Sequence, residues 1–395
     1  MQERKRFSGA LLASNFSSIF GDGLYKFALN WFLVASFGNA QLLGWLTGFG
    51  FIVFLISDVF VGAVLDNYNK KWVLLVCDLF GGLGLLVLAW FLNPVTPQLW
   101  LLFAVALIVN ADLAFAEPAG RALLPEVIHF DAIRSFNGLL SAAFALGQAL
   151  GPLAAGLLLQ IKWIDLRTFL LIYGVMLLIT TVINAQIHYA PAPKEAQSEP
   201  FFQSLKTGLR YVYGHPVLLQ SMLLTLWGNL FFEGYAVALP FLAQQTYAVS
   251  SATYAGYLTL AAVMAFGASL LVARLPKWNN INSMYWDNYV IGAFFVVSFL
   301  VPKSWILPLL IAAYGFYKAL FGIKINTVRQ EHSDAQYLGR VYGMAYFATD
   351  LLAPVATVLI GYGASAVNRA ITPLLGFVLV IGTLFLQMRI HQKSA

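Results

Sequence analysis

The chain has 395 residues and carries 23 Lys plus Arg against 17 Asp plus Glu, a net charge of +6; only 10% of its residues are charged and 60% are hydrophobic. Soluble domains carry about 25% charged residues, so this composition excludes a soluble globular enzyme, and its hydrophobicity excludes intrinsic disorder. A single cysteine, Cys77, rules out an internal disulfide and a multi-cysteine centre, and no two of His129, His188, His215, His332 and His391 stand at metal-ligand spacing, so no metal and no cofactor is expected.

Apolar runs predict helices over 8–36, 41–65, 72–92, 98–117, 132–160, 166–188, 217–242, 252–275, 286–301, 305–325, 337–362 and 370–389. All but the sixteen residues of 286–301 are long enough to cross a hydrocarbon core of about 30 Å. No cleavable leader is expected, because the basic start Met1–Arg6 runs straight into a helix studded with polar residues. Connectors such as Asn93-Pro94-Val95-Thr96-Pro97 and Pro302-Lys303-Ser304 are short turns. The long exception separates the sixth and seventh segments. It opens with the polar Pro191-Ala192-Pro193-Lys194-Glu195. It then places Phe201, Leu205, Leu209 and Val212 at helical spacing around Lys206 and Arg210. That pattern predicts an amphipathic helix lying on the membrane surface. Three parts follow: an N-terminal six-helix half over 1–190, a linker over 191–215 and a C-terminal six-helix half over 216–395.

Basic residues alternate between connectors. One set holds Arg4, Lys5, Arg6, Lys70, Lys71, Arg121, Arg134, Lys194, Lys206, Arg210, Arg274, Lys277, Arg329, Arg340, Arg389 and Lys393; the other holds only Lys162, Arg167, Lys303 and Arg369. By the positive-inside rule both termini and the central linker are cytoplasmic. The excess charge reports topology rather than nucleic-acid binding.

Two motifs narrow the fold. Gly62-Ala-Val-Leu-Asp66-Asn-Tyr-Asn-Lys70-Lys71, between the second and third segments, resembles the loop signature of the major facilitator superfamily, Gly-x-x-x-Asp-Arg-x-Gly-Arg-Arg, with Asn67 and Asn69 in place of Arg and Gly. A small residue there would let helices approach, and the basic pair would anchor at anionic headgroups. The fifth segment carries Gly138, Gly147, Gly151, Pro152 and Gly156, similar to the antiporter signature of proton-coupled exporters in the same superfamily. There the glycines would clear a groove against the opposite half. Ser18-Ile-Phe-Gly21-Asp22, Phe115-Ala-Glu117-Pro118, His215-Pro216 and Leu338-Gly339-Arg340 extend the resemblance to the branch of macrolide-efflux and enterobactin-export proteins. The fourth segment departs from it: Val109-Asn110-Ala111-Asp112 lacks the Arg of many proton-coupled exporters.

Ionisable residues within spans are costly and mark function by default. Asn15, Ser18, Asp22, Lys26 and Asn30 share one face of the first segment, with Asp22 and Lys26 four apart and able to pair. Asp112, Glu233 and Lys318 lie on the fourth, seventh and tenth segments. The resemblance makes these, with the first, the helices that line a central cavity. Glu233 has no basic partner on its own helix, and an unpaired carboxylate in mid-membrane is costly to keep charged, which makes it the first candidate for a protonatable site. Asp58, Gly62 and Asp66 share a face of the second segment, and Asp58 joins the gate; Asp350 lies mid-helix beside it as a hydrogen-bonding group or proton carrier. Glu117, Lys324 and Asp78 lie close to cytoplasmic ends, where contact with headgroups or water is expected.

The resulting expectation is an all-α membrane protein of twelve spanning helices in two halves, not an enzyme. It would be a monomer in the cytoplasmic membrane that exports a small amphipathic compound in exchange for protons. A lysophospholipid flippase of the same fold is the first alternative, and a membrane sensor or immunity protein that moves nothing is the second.

Overall fold

The computed structural model describes residues 7–394 except 94–95, 162, 188–200, 276–279 and 301–302. The linker start at Pro191–Glu195 and the basic residues Arg4, Lys5, Arg6, Lys162, Lys194 and Lys277 therefore lie outside the described residues. Thirteen α-helices follow one another: α1 Gly9–Phe37, α2 Gln41–Asn67, α3 Lys70–Phe91, α4 Leu99–Val127, α5 Phe130–Leu158, α6 Leu166–Ala185, α7 Phe201–Gly214, α8 Pro216–Phe241, α9 Ser251–Arg274, α10 Ile281–Val297, α11 Lys303–His332, α12 Ala335–Val367 and α13 Ile371–Ser394. No β-strand occurs among the described residues. Nine stretches of these residues are long and apolar enough to cross a membrane, one of them running through both α12 and α13. In a bilayer this is the expected outcome for so apolar a chain, because a helix satisfies its backbone hydrogen bonds within itself.

Local chemistry sets several helix starts. The Asn69 side chain accepts from Lys71 N at 3.0 Å and Trp72 N at 3.3 Å, capping α3. Asp165 caps α6 by accepting from Thr168 N at 2.9 Å, and Asn280 caps α10 by accepting from Ser283 N at 2.9 Å. Each satisfies a backbone N–H that the first helical turn leaves open. Asn69 thus has a task of its own where the superfamily signature has Gly.

Three elements differ from expectation. Helix α4 continues to Val127, ten residues beyond the predicted end at 117, with Pro118 and Pro125 inside it. Helix α10 starts at Ile281, five residues before the predicted start at 286, so Ser283 lies within it. Helix α7 packs one end of its apolar side on protein. Val212 is fully buried in a cluster with Leu218, Met222, Val341 and Met344, and Leu205 packs against it. Tyr211 stacks on Tyr337 with ring centroids 4.2 Å apart, and its hydroxyl accepts from Asp334 N at 2.9 Å. Packing against α8 and α12 buries Val212 and part of Leu205, while Leu209 stays 46% exposed.

The chain divides into two compact units, one of residues 1–32 and 49–199, the other of residues 33–48 and 200–395. In the first, Leu123, Ala119, Ile128 and Phe136 centre a core at the ends of α4 and α5, with Leu11 and Leu74 beside it. The second unit includes the end of α1 and the start of α2. Ala40 N donates to Ser365 Oγ at 2.9 Å, and a Cβ placed on Gly44 would stand 2.5 Å from Thr357 O. The stretch 33–48 is therefore seated on α12.

Candidate functional site

In the first unit, Asp22 and Lys26 pair along α1 at 3.0 Å, as their spacing allows. The Lys26 side chain is 47% exposed and that of Asp22 17%. The second carboxylate oxygen of Asp22 and the Asn15 Oδ1 are buried without a hydrogen-bond partner among the described residues. Aromatic rings flank this stripe: Phe16 stacks on Phe20 at 5.7 Å and Phe27 on Trp31 at 6.2 Å.

The glycine series of α5 has a different neighbour from the one expected. Gly147 and Gly151 abut α1 of the same unit. A Cβ on Gly151 would lie 2.6 Å from Phe20 O and 2.9 Å from Leu24 N, and one on Gly147 2.9 Å from Ile19 Cγ2. Pro152 stands beside Gly23, 3.2 Å from where a Cβ would sit. These residues set how closely α5 approaches the helix that carries Asp22 and Lys26. Gly138 and Gly62 each face open space, with nothing within 4 Å of an added Cβ, so neither provides close helix approach here. Gly156 is buried in α5.

The basic pair of the loop is tied to protein groups. Lys70 Nζ meets Glu126 Oε1 at 2.6 Å, and Lys71 Nζ donates to Ala185 O at 2.7 Å, joining the start of α3 to α4 and to the end of α6. Asp66 is exposed at the end of α2, and Asp58 is partly buried, with Ile56 and Phe60 exposed two residues to either side. Asp350 is partly buried on α12.

Asp78 and Asp112 are deeply buried, 2% and 4% exposed. The position of Asp78 near a predicted helix end had pointed to water or headgroups. Instead its Oδ2 accepts from Asn184 Nδ2 at 2.8 Å, because α3 begins at Lys70 and packs along α6.

In the second unit Glu233 is not unpaired. Lys318 Nζ on α11 lies 3.1 Å from Glu233 Oε1 on α8, a partner that same-helix spacing could not reveal. The Lys318 side chain is 46% exposed and that of Glu233 24%. The ammonium lies 6.0 Å from the Phe232 ring centre and 5.8 Å from that of Tyr314. Tyr235, Phe231, Phe295 and Tyr314 continue this aromatic cluster with centroids 4.9–5.9 Å apart.

Lys324 also departs from expectation. It is fully buried, 2.6 Å from Asp287 Oδ2 and 3.1 Å from Ser283 Oγ on α10. Next to it the Tyr317 hydroxyl donates to Asn288 Oδ1, whose amide donates to Thr383 Oγ1 at 3.1 Å. Asp287 falls inside the predicted segment 286–301, but nothing in the sequence singles it out, because its partner Lys324 is 37 residues away on another helix. The signal for the earlier start of α10 was Asn280, a helix cap three residues before Ser283.

Two helical units, with opposed charges held mid-helix among aromatic rings and nine stretches apolar enough to cross a membrane among the described residues, define a polytopic membrane protein. The sequence pattern of the Major Facilitator Superfamily matches residues 11–357, and the chain belongs to that family. It is 26% identical over 348 residues to the enterobactin exporter EntS of Escherichia coli O1:K1 / APEC, covering 86% of this chain and 81% of that one. It is 20% identical over 352 residues to macrolide efflux protein A of Streptococcus pyogenes, covering 87% and 85%. Its fold is similar to the crystal structure of a bacterial homologue of the human lysosomal transporter Spinster, with a TM-score of 0.71 at 12% identity, covering 96% and 95% of the two chains. The protein is thus a multi-pass membrane transporter by family, with efflux proteins among its relatives.

Proposed function

We propose that the protein is a secondary active exporter of the cytoplasmic membrane that expels a small amphipathic compound, of drug or siderophore type, in exchange for protons. Twelve helices, all those described except α7, cross the membrane; both termini face the cytoplasm, and the monomer works by alternating access. The observation that carries this reading is the Glu233–Lys318 pair, two opposite charges at 3.1 Å beside the rings of Phe232 and Tyr314. An amphipathic compound needs apolar surface for its body and a charged group for its polar end. Asp22 and Lys26 supply the corresponding charges in the first unit. Each carboxylate has three competing partners: its lysine, a proton and the substrate. That competition is what exchange requires, since a proton can displace substrate only where both bind the same group or linked groups. Efflux relatives support the direction of transport. Asp66, Lys70 and Lys71, with the α5 series Gly138–Gly156, form the framework that changes conformation.

The test is flux in proteoliposomes with and without an inward proton gradient, across macrolides, catecholate siderophores and lysophospholipids. Gradient-driven movement of a drug or siderophore supports the reading. Movement of lysolipid alone would replace it with a flippase, and binding without movement would replace it with a sensor.

A further inference from the structure

The first unit buries two acids for which the substrate-facing pairs have no use. Asp112 on α4 and Asp78 on α3 are 4% and 2% exposed. The Asp112 carboxyl lies against Gly81, one turn along α3 from Asp78: a Cβ on Gly81 would be 3.3 Å from Asp112 Cγ and 3.4 Å from Oδ1. Asp78 and Asp112 are within electrostatic reach of each other, and Asp22 on α1 is within reach of Asp112. From α6, Asn184 donates to Asp78 Oδ2 at 2.8 Å, and the buried Tyr173 ring brings a hydroxyl into the same field. Cys77, also on α3, lies within electrostatic reach of both acids. No Lys, Arg or His is among these groups.

Hydrogen bonds do not make good the missing positive charge. Both oxygens of Asp112, the Asn184 Oδ1 and the Tyr173 hydroxyl are buried without a hydrogen-bond partner among the described residues. Burying one unpaired carboxylate is strongly unfavourable, and two adjacent ones are worse. Two buried carboxyls within electrostatic reach of each other relieve this by binding a proton, which then belongs to the pair rather than to either member. The second unit solves the same problem differently. There the buried Asp287, on α10 where it packs on α11, receives the ammonium of Lys324 at 2.6 Å. In the second unit the neutralising cation is covalently part of the chain; in the first, neither Asp78 nor Asp112 has an ion-pair partner among the described residues.

We propose that Asp78 and Asp112 form a proton-binding site in which the two carboxyls hold one exchangeable proton, with Asn184 fixing Asp78. The occupant is a proton rather than a metal ion, because no group of three or more acidic, Cys or His side chains that could hold a metal ion occurs among the described residues. A proton needs only one oxygen. The site lies between α3, α4 and α6, apart from the Glu233–Lys318 pair. It deepens the reading of the protein as a proton-coupled exporter and rests on that reading only for the use made of the proton.

The test uses full-length protein reconstituted in phosphatidylethanolamine–phosphatidylglycerol nanodiscs. Infrared difference spectra are recorded across a pH titration, in sodium and in choline buffers. Wild type should show the carbonyl stretch of a protonated buried carboxyl that disappears on deprotonation. Both Asp78→Asn and Asp112→Asn should remove it, whereas Glu233→Gln should leave it in place. Thermal stability gives a second reading. A proton bound in the folded state and released on unfolding makes stability fall as pH rises. Asp112→Asn, nearly isosteric and uncharged, should flatten that slope and should not lower stability at neutral pH. A spectrum unchanged in both Asn variants would overturn the proposal, as would loss of the band on adding sodium at constant pH. A wild-type protein that shows the Asp112-dependent band but moves no substrate under a proton gradient would leave this site standing and refute the exporter reading.

Discussion

At the scale of single residues, pairing across helices changes what a substitution means. Glu233→Gln removes the charge that Lys318 faces at 3.1 Å, so the effect is not confined to a proton site. Leaving a buried partner unpaired costs about 3–5 kcal/mol, but Lys318 is 46% exposed and water offsets much of that. The protein should therefore fold, and gradient-driven flux should fall by roughly tenfold or more, equivalent to about 1.4 kcal/mol. The double variant Glu233→Gln with Lys318→Gln should bind uncharged substrates as wild type does and remain uncoupled. Flux and binding measured on both variants check this; full gradient-driven flux in Glu233→Gln would remove Glu233 from the mechanism. Lys324 is the contrasting case. It is fully buried against Asp287, so Lys324→Met strands a carboxylate in the interior. The expected loss is about 3–5 kcal/mol of stability, seen as low yield and early thermal unfolding. Adding Asp287→Leu should recover most of it, because two apolar side chains need no countercharge.

At the scale of elements, the separation of α5 from α1 is set where backbone meets backbone. A side chain at Gly151 would run into Phe20 O and Leu24 N, neither of which can rotate away. Gly151→Leu should therefore force the helices apart, at about 1–3 kcal/mol for overpacking, and lower transport through displacement of Asp22 and Lys26. Gly62 is the internal control: its Cβ position is open, so Gly62→Ala should leave stability unchanged or raise it by up to about 1 kcal/mol, the helical preference of Ala over Gly. Thermal unfolding of the two variants in one detergent checks the pair. Helix α7 belongs to the same scale. Its amphipathic stripe was legible at Phe201, Leu205, Leu209 and Val212, but two surfaces can bury such a stripe. Val341, Met344 and Leu218 supply a protein surface at the right place, and Val212 is fully buried there.

At the scale of the molecule, the orientation rests on the alternation of basic residues. In a protein with Cys77 replaced by Ser, a cysteine introduced at Ser198 should react with an impermeant maleimide only after the cells are opened. Labelling in intact cells would invert the topology and with it the direction assigned to transport. The division into units also alters one boundary. Residues 33–48, at the junction of α1 and α2, pack on α12 through Gly44, Ala40 and Ser365 and so belong with the second unit.

Sequence alone determined the helical membrane class, the positions of nearly all the helices, the Asp22–Lys26 pair and the superfamily, because these depend on composition, on the helical period and on residues within one or two turns of each other. Tertiary structure alone decided the partners of charges that are distant in sequence. Glu233 and Lys318 are 85 residues apart, Lys324 and Asp287 37, and Asp78 and Asn184 106. No helical periodicity links such positions; only the packing of α8 on α11, α10 on α11 and α3 on α6 brings them within reach. The same packing leaves Asp112 buried with both oxygens unmatched among the described residues, a condition invisible in a sequence that shows merely one aspartate in an apolar run.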